Sequence, residues 1–406
     1  VDAVVTPRPL ATGPAATPGQ ALVYLHDRDS EGVARQALSD LGVADVTFAN
    51  AGIAEAIGDM KKRPSPKILI VDVANANDPQ AAVTELVELC EPSTGIIAVG
   101  DANDIRLYRG LLQAGAVEYF FRPLVTSLLA HALETVVSGE HAPGADASGR
   151  TGKLIFVIGA RGGCGATSVA TRTAWALAEH PPRPVALVDL DLQSGDAALQ
   201  LDATPNHALR EALERADRVD DLFLERGAIN VTSRLALLAS LEPLEAHITF
   251  DEEALLSLLK MLRRRYRYVV VDIPVSRIPD IPAALHLPSL LLLVSDASLS
   301  SARDVARVRG ILGPFNAERA CLHLLNKSNA PGALSLEEFT RGAGQAPDIL
   351  LPWSRDIAMA AKTGLKNKPD IAVFNRALSP VFARVAGVKP APTSLLSNLP
   401  GLHGLG

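Results

Sequence analysis

The sequence predicts two successive α/β domains, each a doubly wound parallel sheet, and three observations carry that reading. Short apolar runs alternate with segments of helical period along most of the chain. The alternation breaks once, at residues 139–152 (GEHAPGADASGRTG), a Gly-, Ala- and Ser-rich stretch of linker composition. The 406 residues also suit two or three domains of roughly 150 residues each.

The divisions run in order. Residues 1–19 carry four prolines among small residues and read as a flexible leader. In the domain expected over 20–137, ALVYL (21–25), VTFA (46–49), KILIVDV (67–73), GIIAVG (95–100) and AVEYFF (116–121) read as strands. Val33, Ala37, Leu38 and Leu41 recur at helical spacing between them, as do Ala82, Val83, Leu86 and Val87. A linker is expected over 138–152, a second domain over 153–387, and a Pro- and Gly-rich flexible tail over 388–406.

Ligands on such sheets sit at the carboxyl ends of strands. In the first domain those ends carry Asp27 and Asp29, Asp72, Gly100, and Arg122 before Pro123. Residues 20–137 thereby resemble a response-regulator receiver domain. The resemblance implies a phosphoacceptor at Asp72 and a magnesium-binding corner at Asp27 and Asp29. Two positions depart from it: Gly100 replaces the switch Ser or Thr, and Arg122 the Lys before proline. Without a hydroxyl to hold a phosphoryl group the expectation is a docking domain, not a switch.

The second domain opens with a buried strand, KLIFVIG (153–159), then ARGGCGATS (160–168) and a helical pattern. Strand, Gly-rich turn and helix is a phosphate cradle, because backbone N–H groups and a helix N-terminus converge on the anion. Gly162, Gly163 and Gly165 permit the close approach, and Thr167 supplies the hydroxyl expected on Mg²⁺. VALVDLDLQSGD (185–196) reads as a strand ending in Asp189 and Asp191, and YVVVDIP (268–274) as one ending in Asp272, a second-sphere magnesium carboxylate.

This order resembles the deviant Walker A ATPases of the ParA/MinD superfamily over about residues 152–386. LLLLVSDASLSSARDVARV (290–308), LHLLN (322–326) and LPWSRDIAMAAKTG (351–364) fall where its later strands and nucleotide-base loops lie. Ala166 replaces the phosphate-binding Lys, Arg161 the signature Lys, and Ala160 the first loop Gly. A receiver-like domain ahead of a loop ending Gly-Ala-Thr-Ser is similar to TadZ/CpaE proteins of tight-adherence (Flp) pilus systems, as are DLDLQSGDAAL and SLSSARD.

The resemblance implies ATP and Mg²⁺ held by residues 162–168 (Gly162, Gly163, Cys164, Gly165, Ala166, Thr167 and Ser168), with Asn326 at the adenine edge. It implies that Asp191 positions the attacking water and that Arg161 reaches the partner's phosphates in an ATP-sandwich homodimer. Cys164, at the loop's variable position, is expected to pack. A P-loop Lys neutralises charge in the transition state, so Ala166 predicts ATP binding with weak or vestigial hydrolysis. The implied partners are a pilus secretion ATPase and other pilus assembly proteins. The implied location is cytoplasmic, at the cell pole or peripheral to the inner membrane through those partners.

Composition narrows the classes. Lys and Arg total 39 against 45 Asp and Glu, a net charge of −6, so no specific nucleic-acid partner is expected. Three scattered cysteines build neither a disulfide framework nor a zinc site and suit a reducing compartment. The most apolar stretch, 285–294, is broken by Pro288 and falls short of the ~20 residues a membrane span needs; the first twenty residues lack the pattern of a secretion signal. Two alternatives stay open: a cytomotive partitioning or positioning ATPase, for which KMLRRRYRY (260–268) could contact DNA, and a phospho-regulated response regulator with ATPase output.

Overall fold

The computed structural model describes residues 21–137, 151–179, 182–215, 220–353 and 372–386. The expected leader and tail, most of the linker, and most of LPWSRDIAMAAKTG lie outside the described residues. Contacts divide the chain into two compact units, one within residues 1–87 and 93–148, the other within 88–92 and 149–406.

The first unit alternates β1 (Ala21–Tyr24), α1 (Arg28–Asp40), β2 (Val46–Ala49), α2 (Ile53–Met60), β3 (Ile68–Asp72), α3 (Pro79–Leu89), β4 (Gly95–Gly100), α4 (Ile105–Gln113), β5 (Glu118–Phe121) and α5 (Thr126–Val137). The sheet order is β2-β1-β3-β4-β5, every neighbour parallel. The reversal between β1 and β3 is the topological switch of a doubly wound sheet. β3 and β4 are buried along their whole length, which is why both read as unbroken apolar runs. Asp27 stops β1 and starts α1: its carboxylate accepts the Ser30 backbone N–H at 2.6 Å.

The second unit begins with β6 (Lys153–Gly159), α6 (Ala166–Glu179), β7 (Val185–Asp189), α7 (Ala197–Gln200), α8 (Ala208–Glu214) and α9 (Asp221–Gly227). β8 (Ile229–Asn230), β9 (Leu235–Leu238), α10 (Glu252–Arg265), β10 (Tyr268–Ile273), α11 (Pro282–Leu285), β11 (Ser289–Asp296), α12 (Leu299–Leu312), β12 (Arg319–Asn326), α13 (Leu336–Ala343) and β13 (Ile349–Leu350) follow. Helices also span Ala372–Ala377 and Ser379–Ala386. The eight strands run β13-β12-β11-β6-β10-β7-β9-β8, parallel except for the β8–β9 edge pair.

β6 lies inside the sheet, between β10 and β11. Alternate side chains of β6 enter opposite cores: Leu154, Phe156 and Ile158 on one face, Ile155 and Val157 on the other. That double burial fixes the strand from which the glycine-rich loop departs. Among the described residues, no helix is long and apolar enough to cross a membrane.

Both units are thus parallel α/β sheets wound on two faces, as the alternation of runs predicts. The strand expected over 185–196 ends at Asp189, and Asp191 lies in the turn beyond it. The edge strand β8 and its neighbour β9 had no counterpart in the reading of the sequence. The basic run 260–268 ends α10 and enters β10, at the end of the sheet opposite the glycine-rich loop. Of its cations only Lys260 and Arg264 are exposed, and Arg267 is buried. Arg263 donates to the Gly152 carbonyl at 2.7 Å.

Candidate nucleotide site and the acidic corner of the first sheet

In the first unit, Asp72 ends β3 with 3% of its surface exposed. One carboxylate oxygen accepts the Ala74 N–H at 2.9 Å; the other pairs with the Arg122 guanidinium. Arg122 also donates through Nε to Asp27 at 2.7 Å and through Nη1 to Asp101 at 2.8 Å. Burial opposes the Arg122 charge, but the hydrogen bonds to Asp27, Asp101 and Asp72 outweigh it and raise the guanidinium's pKa. Burial likewise acts to raise the Asp27 pKa, and the Ser30 amide and Arg122 reverse it to a net lowering.

The expected acidic corner is therefore rearranged. Asp27 and Asp72 converge, but Asp29 is exposed in the first turn of α1, and Asp101 is the third carboxylate on the guanidinium. Gly100 has a steric cause: a Cβ there would stand 2.7 Å from the Tyr119 hydroxyl. That hydroxyl donates to the Ala102 carbonyl at 2.8 Å, so the tyrosine occupies the space of a switch side chain.

In the second unit, β6 ends at Gly159 and α6 begins at Ala166. The six residues between turn the chain back over the helix N-terminus. Gly163 (φ +79°) and Gly165 (φ +95°) take left-handed conformations that a side chain disfavours. A Cβ at Gly165 would stand 2.3 Å from the Asn326 amide nitrogen. The space around Gly162 and Gly163 is open for 4 Å where a Cβ would enter, a cradle that fits a phosphate. The Cys164 thiol points inward and donates to the Val294 carbonyl at 3.3 Å; burial raises its pKa, consistent with packing.

Thr167, in the first turn of α6, stands near Asp272 at the end of β10, where its hydroxyl acts to lower the carboxyl's pKa. Asp272 is registered directly beside Asp189 of β7, and they are 4% and 2% exposed. Asp189 accepts the backbone N–H groups of Asp191 at 3.0 Å and Ala197 at 3.2 Å. Burial, then mutual repulsion, pushes the Asp272 pKa well up; burial does the same to Asp189. Among the described residues neither carboxylate has an ion-pair partner, and no group of three or more His, Cys, Asp or Glu could hold a metal unaided. Two adjacent buried carboxylates beside a helix-start hydroxyl suit a hydrated Mg²⁺ completed by phosphate oxygens.

Arg161 is exposed on the loop, and Asp191 accepts the Ser194 N–H at 2.9 Å in the turn after β7. Asn326, expected at the adenine edge, is 7% exposed, and both ends of its amide are engaged. Its NH₂ donates to the Cys164 carbonyl at 2.9 Å and its oxygen accepts the Lys327 N–H at 2.9 Å. Lys327, which the sequence did not single out, sends its ammonium to the Gly163 carbonyl at 2.9 Å.

Residues 153–309 match the family model described as cellulose biosynthesis protein BcsQ. That match covers the glycine-rich loop, Asp189, Asp191 and Asp272, and under half of the chain. Among solved structures the chain is similar to a ParA family ATPase from Chlorobium tepidum, at 21% identity and TM-score 0.47 over 56% of this chain and 98% of that one. It is also similar to the septum site-determining protein MinD of Pyrococcus horikoshii, solved with Mg-ADP, at 19% identity and TM-score 0.41 over 58% and 94%. A third is the pilus assembly protein CpaE of Caulobacter crescentus, at 24% identity and TM-score 0.27 over 29% and 97%. No curated protein is a significant match.

Proposed function

We propose that this chain is an ATP-binding protein of ParA/MinD type that hydrolyses ATP weakly and acts as a dimeric scaffold in assembly of a pilus machine. One observation carries the nucleotide reading. A loop with two left-handed glycines and an open cradle meets a helix start, with Thr167 near the buried Asp272 beside it, while Ala166 stands where a lysine would neutralise the phosphates. Loop amides and the helix N-terminus suffice for ground-state binding. Mg²⁺, when bound, would neutralise phosphate charge. Thr167 supplies a hydroxyl for it, Asp272 and Asp189 the negative charge behind it, and Asp191 a carboxylate beside the mouth of the site. Arg161, exposed on the loop, is suited to meeting a second copy's nucleotide.

The assembly role rests on the resemblance of the loop and the two quoted phrases to TadZ/CpaE proteins. The proteins with similar folds serve several different roles, and fold alone does not choose among them. The receiver-switch alternative is disfavoured by Arg122 on Asp72, and the DNA-cycling alternative by the burial and internal bonding within the 260–268 run.

The test is a calorimetric titration with Mg-ATP alongside turnover on the same sample. Binding with hydrolysis below about 1 s⁻¹, the low end of ordinary turnover, is expected. Silence at millimolar nucleotide, or faster turnover, defeats the reading.

A further inference from the structure

Asn326 and Lys327 are consecutive residues at the carboxyl end of β12, and they hold consecutive carbonyls of the glycine-rich loop. Asn326 takes Cys164 and Lys327 takes Gly163, each at 2.9 Å. The backbone at Lys327 is left-handed, φ +55°, a conformation that costs a side-chain-bearing residue of order 1 kcal/mol or more. A lysine tolerates it here in the arrangement that returns its ammonium to the loop. The loop in turn accommodates Asn326 only because residue 165 lacks a Cβ, which would overlap the amide at 2.3 Å. Asn326, Lys327 and Gly165 are therefore a fitted set.

Resting on the nucleotide reading above, we infer that Asn326 and Lys327 form a clip that pre-sets the phosphate loop, and that Lys327 supplies from behind the loop the positive charge absent at Ala166. Each peptide unit has its carbonyl at one end and its N–H at the other. The ammonium on the Gly163 carbonyl polarises the peptide unit that carries the Cys164 N–H, one of the loop's own amide donors. A donor polarised in this way binds an anion more strongly, and the lysine's unit charge acts on the loop over a short distance. Lys327 is thus a positioning residue: it acts through the loop peptides, and its benefit should scale with the charge of the phosphate chain. Asn326, both of its amide ends engaged, serves the same loop instead of reading a base.

The experiment is titration of the full chain and of Lys327→Met, Lys327→Arg and Asn326→Ala with Mg-ATP and with AMP, with unfolding midpoints taken without nucleotide. Methionine keeps the Cβ, and hence the backbone conformation, and removes only the charge. Lys327→Met should lose about tenfold in ATP affinity, as for a charge-assisted contact, and clearly less for AMP. Lys327→Arg should recover to within about threefold, and Asn326→Ala should weaken both ligands. Wild-type affinity in Lys327→Met overturns the clip while leaving the nucleotide reading intact. Equal losses for ATP and AMP with a lowered midpoint, or failure of arginine to rescue, overturn the charge role. Absence of ATP binding by the wild type defeats the nucleotide reading itself.

Discussion

At the carboxyl ends of its strands the first sheet gathers Asp27, Asp72 and Asp101 around the Arg122 guanidinium. The second gathers Asp189 and Asp272 with no cation paired to them among the described residues. The first corner is partly neutralised from within the chain, so the position a divalent ion would take beside Asp72 already holds a positive charge. The second has no counter-charge of its own among the described residues, and burial with mutual repulsion favours its protonated carboxyls until a cation arrives. Similar sheets present carboxylates at the same topological position, and the placement of one arginine distinguishes a closed corner from one suited to an incoming ion.

The comparison can be broken at either end. The largest effect is expected from Ala166→Lys, which returns a cation to the loop. Phosphate-release assays should show turnover rising on the order of 100-fold, the scale of one electrostatic stabiliser in a transition state. An unchanged rate would mean that something other than the missing charge limits the second site.

Next is Arg122→Met, which leaves Asp72 buried beside Asp27 and Asp101 without a counter-charge. Breaking such a pair costs about 3 kcal/mol, read as a shift in the denaturant midpoint of the first unit's transition. Millimolar Mg²⁺ should restore part of the loss in the variant and leave the wild type unmoved. Equal response of both proteins to Mg²⁺ would show that the guanidinium does not occupy an ion's place.

The smallest effect is a pH dependence that sharpens the contrast in unpaired buried groups. His323 of the second sheet is fully buried, donating or accepting through Nε2 at Ser295 Oγ, 2.8 Å away. Burial, with help from the nearby Arg309 charge, lowers its pKa to about 4. A histidine whose folded pKa lies below its unfolded value of about 6.5 contributes full stability above that pH and loses it as pH falls towards the folded value. Denaturation between pH 6.5 and 4 should show a loss of up to about 1.4 kcal/mol per pH unit from this group, and a shallower slope in His323→Gln. Parallel slopes would remove His323 from the account.

Much of this was legible from sequence because parallel strands buried on both faces are unbroken apolar runs, and the turn ARGGCGATS is local to its strand and helix. What was not legible is long-range. Arg122 meets carboxylates 95 and 50 positions earlier in the chain, and the sequence showed it only as an atypical residue before proline. Asp29 was grouped with Asp27 by proximity to the first strand, yet the helix N-cap geometry turns Asp27 inward and leaves Asp29 in solvent. Lys327 reaches Gly163 across 164 positions, and nothing in an Asn-Lys pair after a strand announces that reach. The edge strand β8 and its neighbour β9 hold two and four residues, too few for a periodic signal.

The Tyr119 hydroxyl against Gly100 also bears on how this chain can change by mutation. A serine or threonine introduced at 100 meets the tyrosine oxygen 2.7 Å from its Cβ, so the substitution is penalised while Tyr119 keeps its bond to Ala102. Removing the Tyr119 ring first would open a void in a close-packed interior, a change that is costly on its own. Each single step towards a hydroxyl switch is therefore expected to cost stability. A hydroxyl at 100 requires Tyr119 to move or shrink, which ties the two positions to each other.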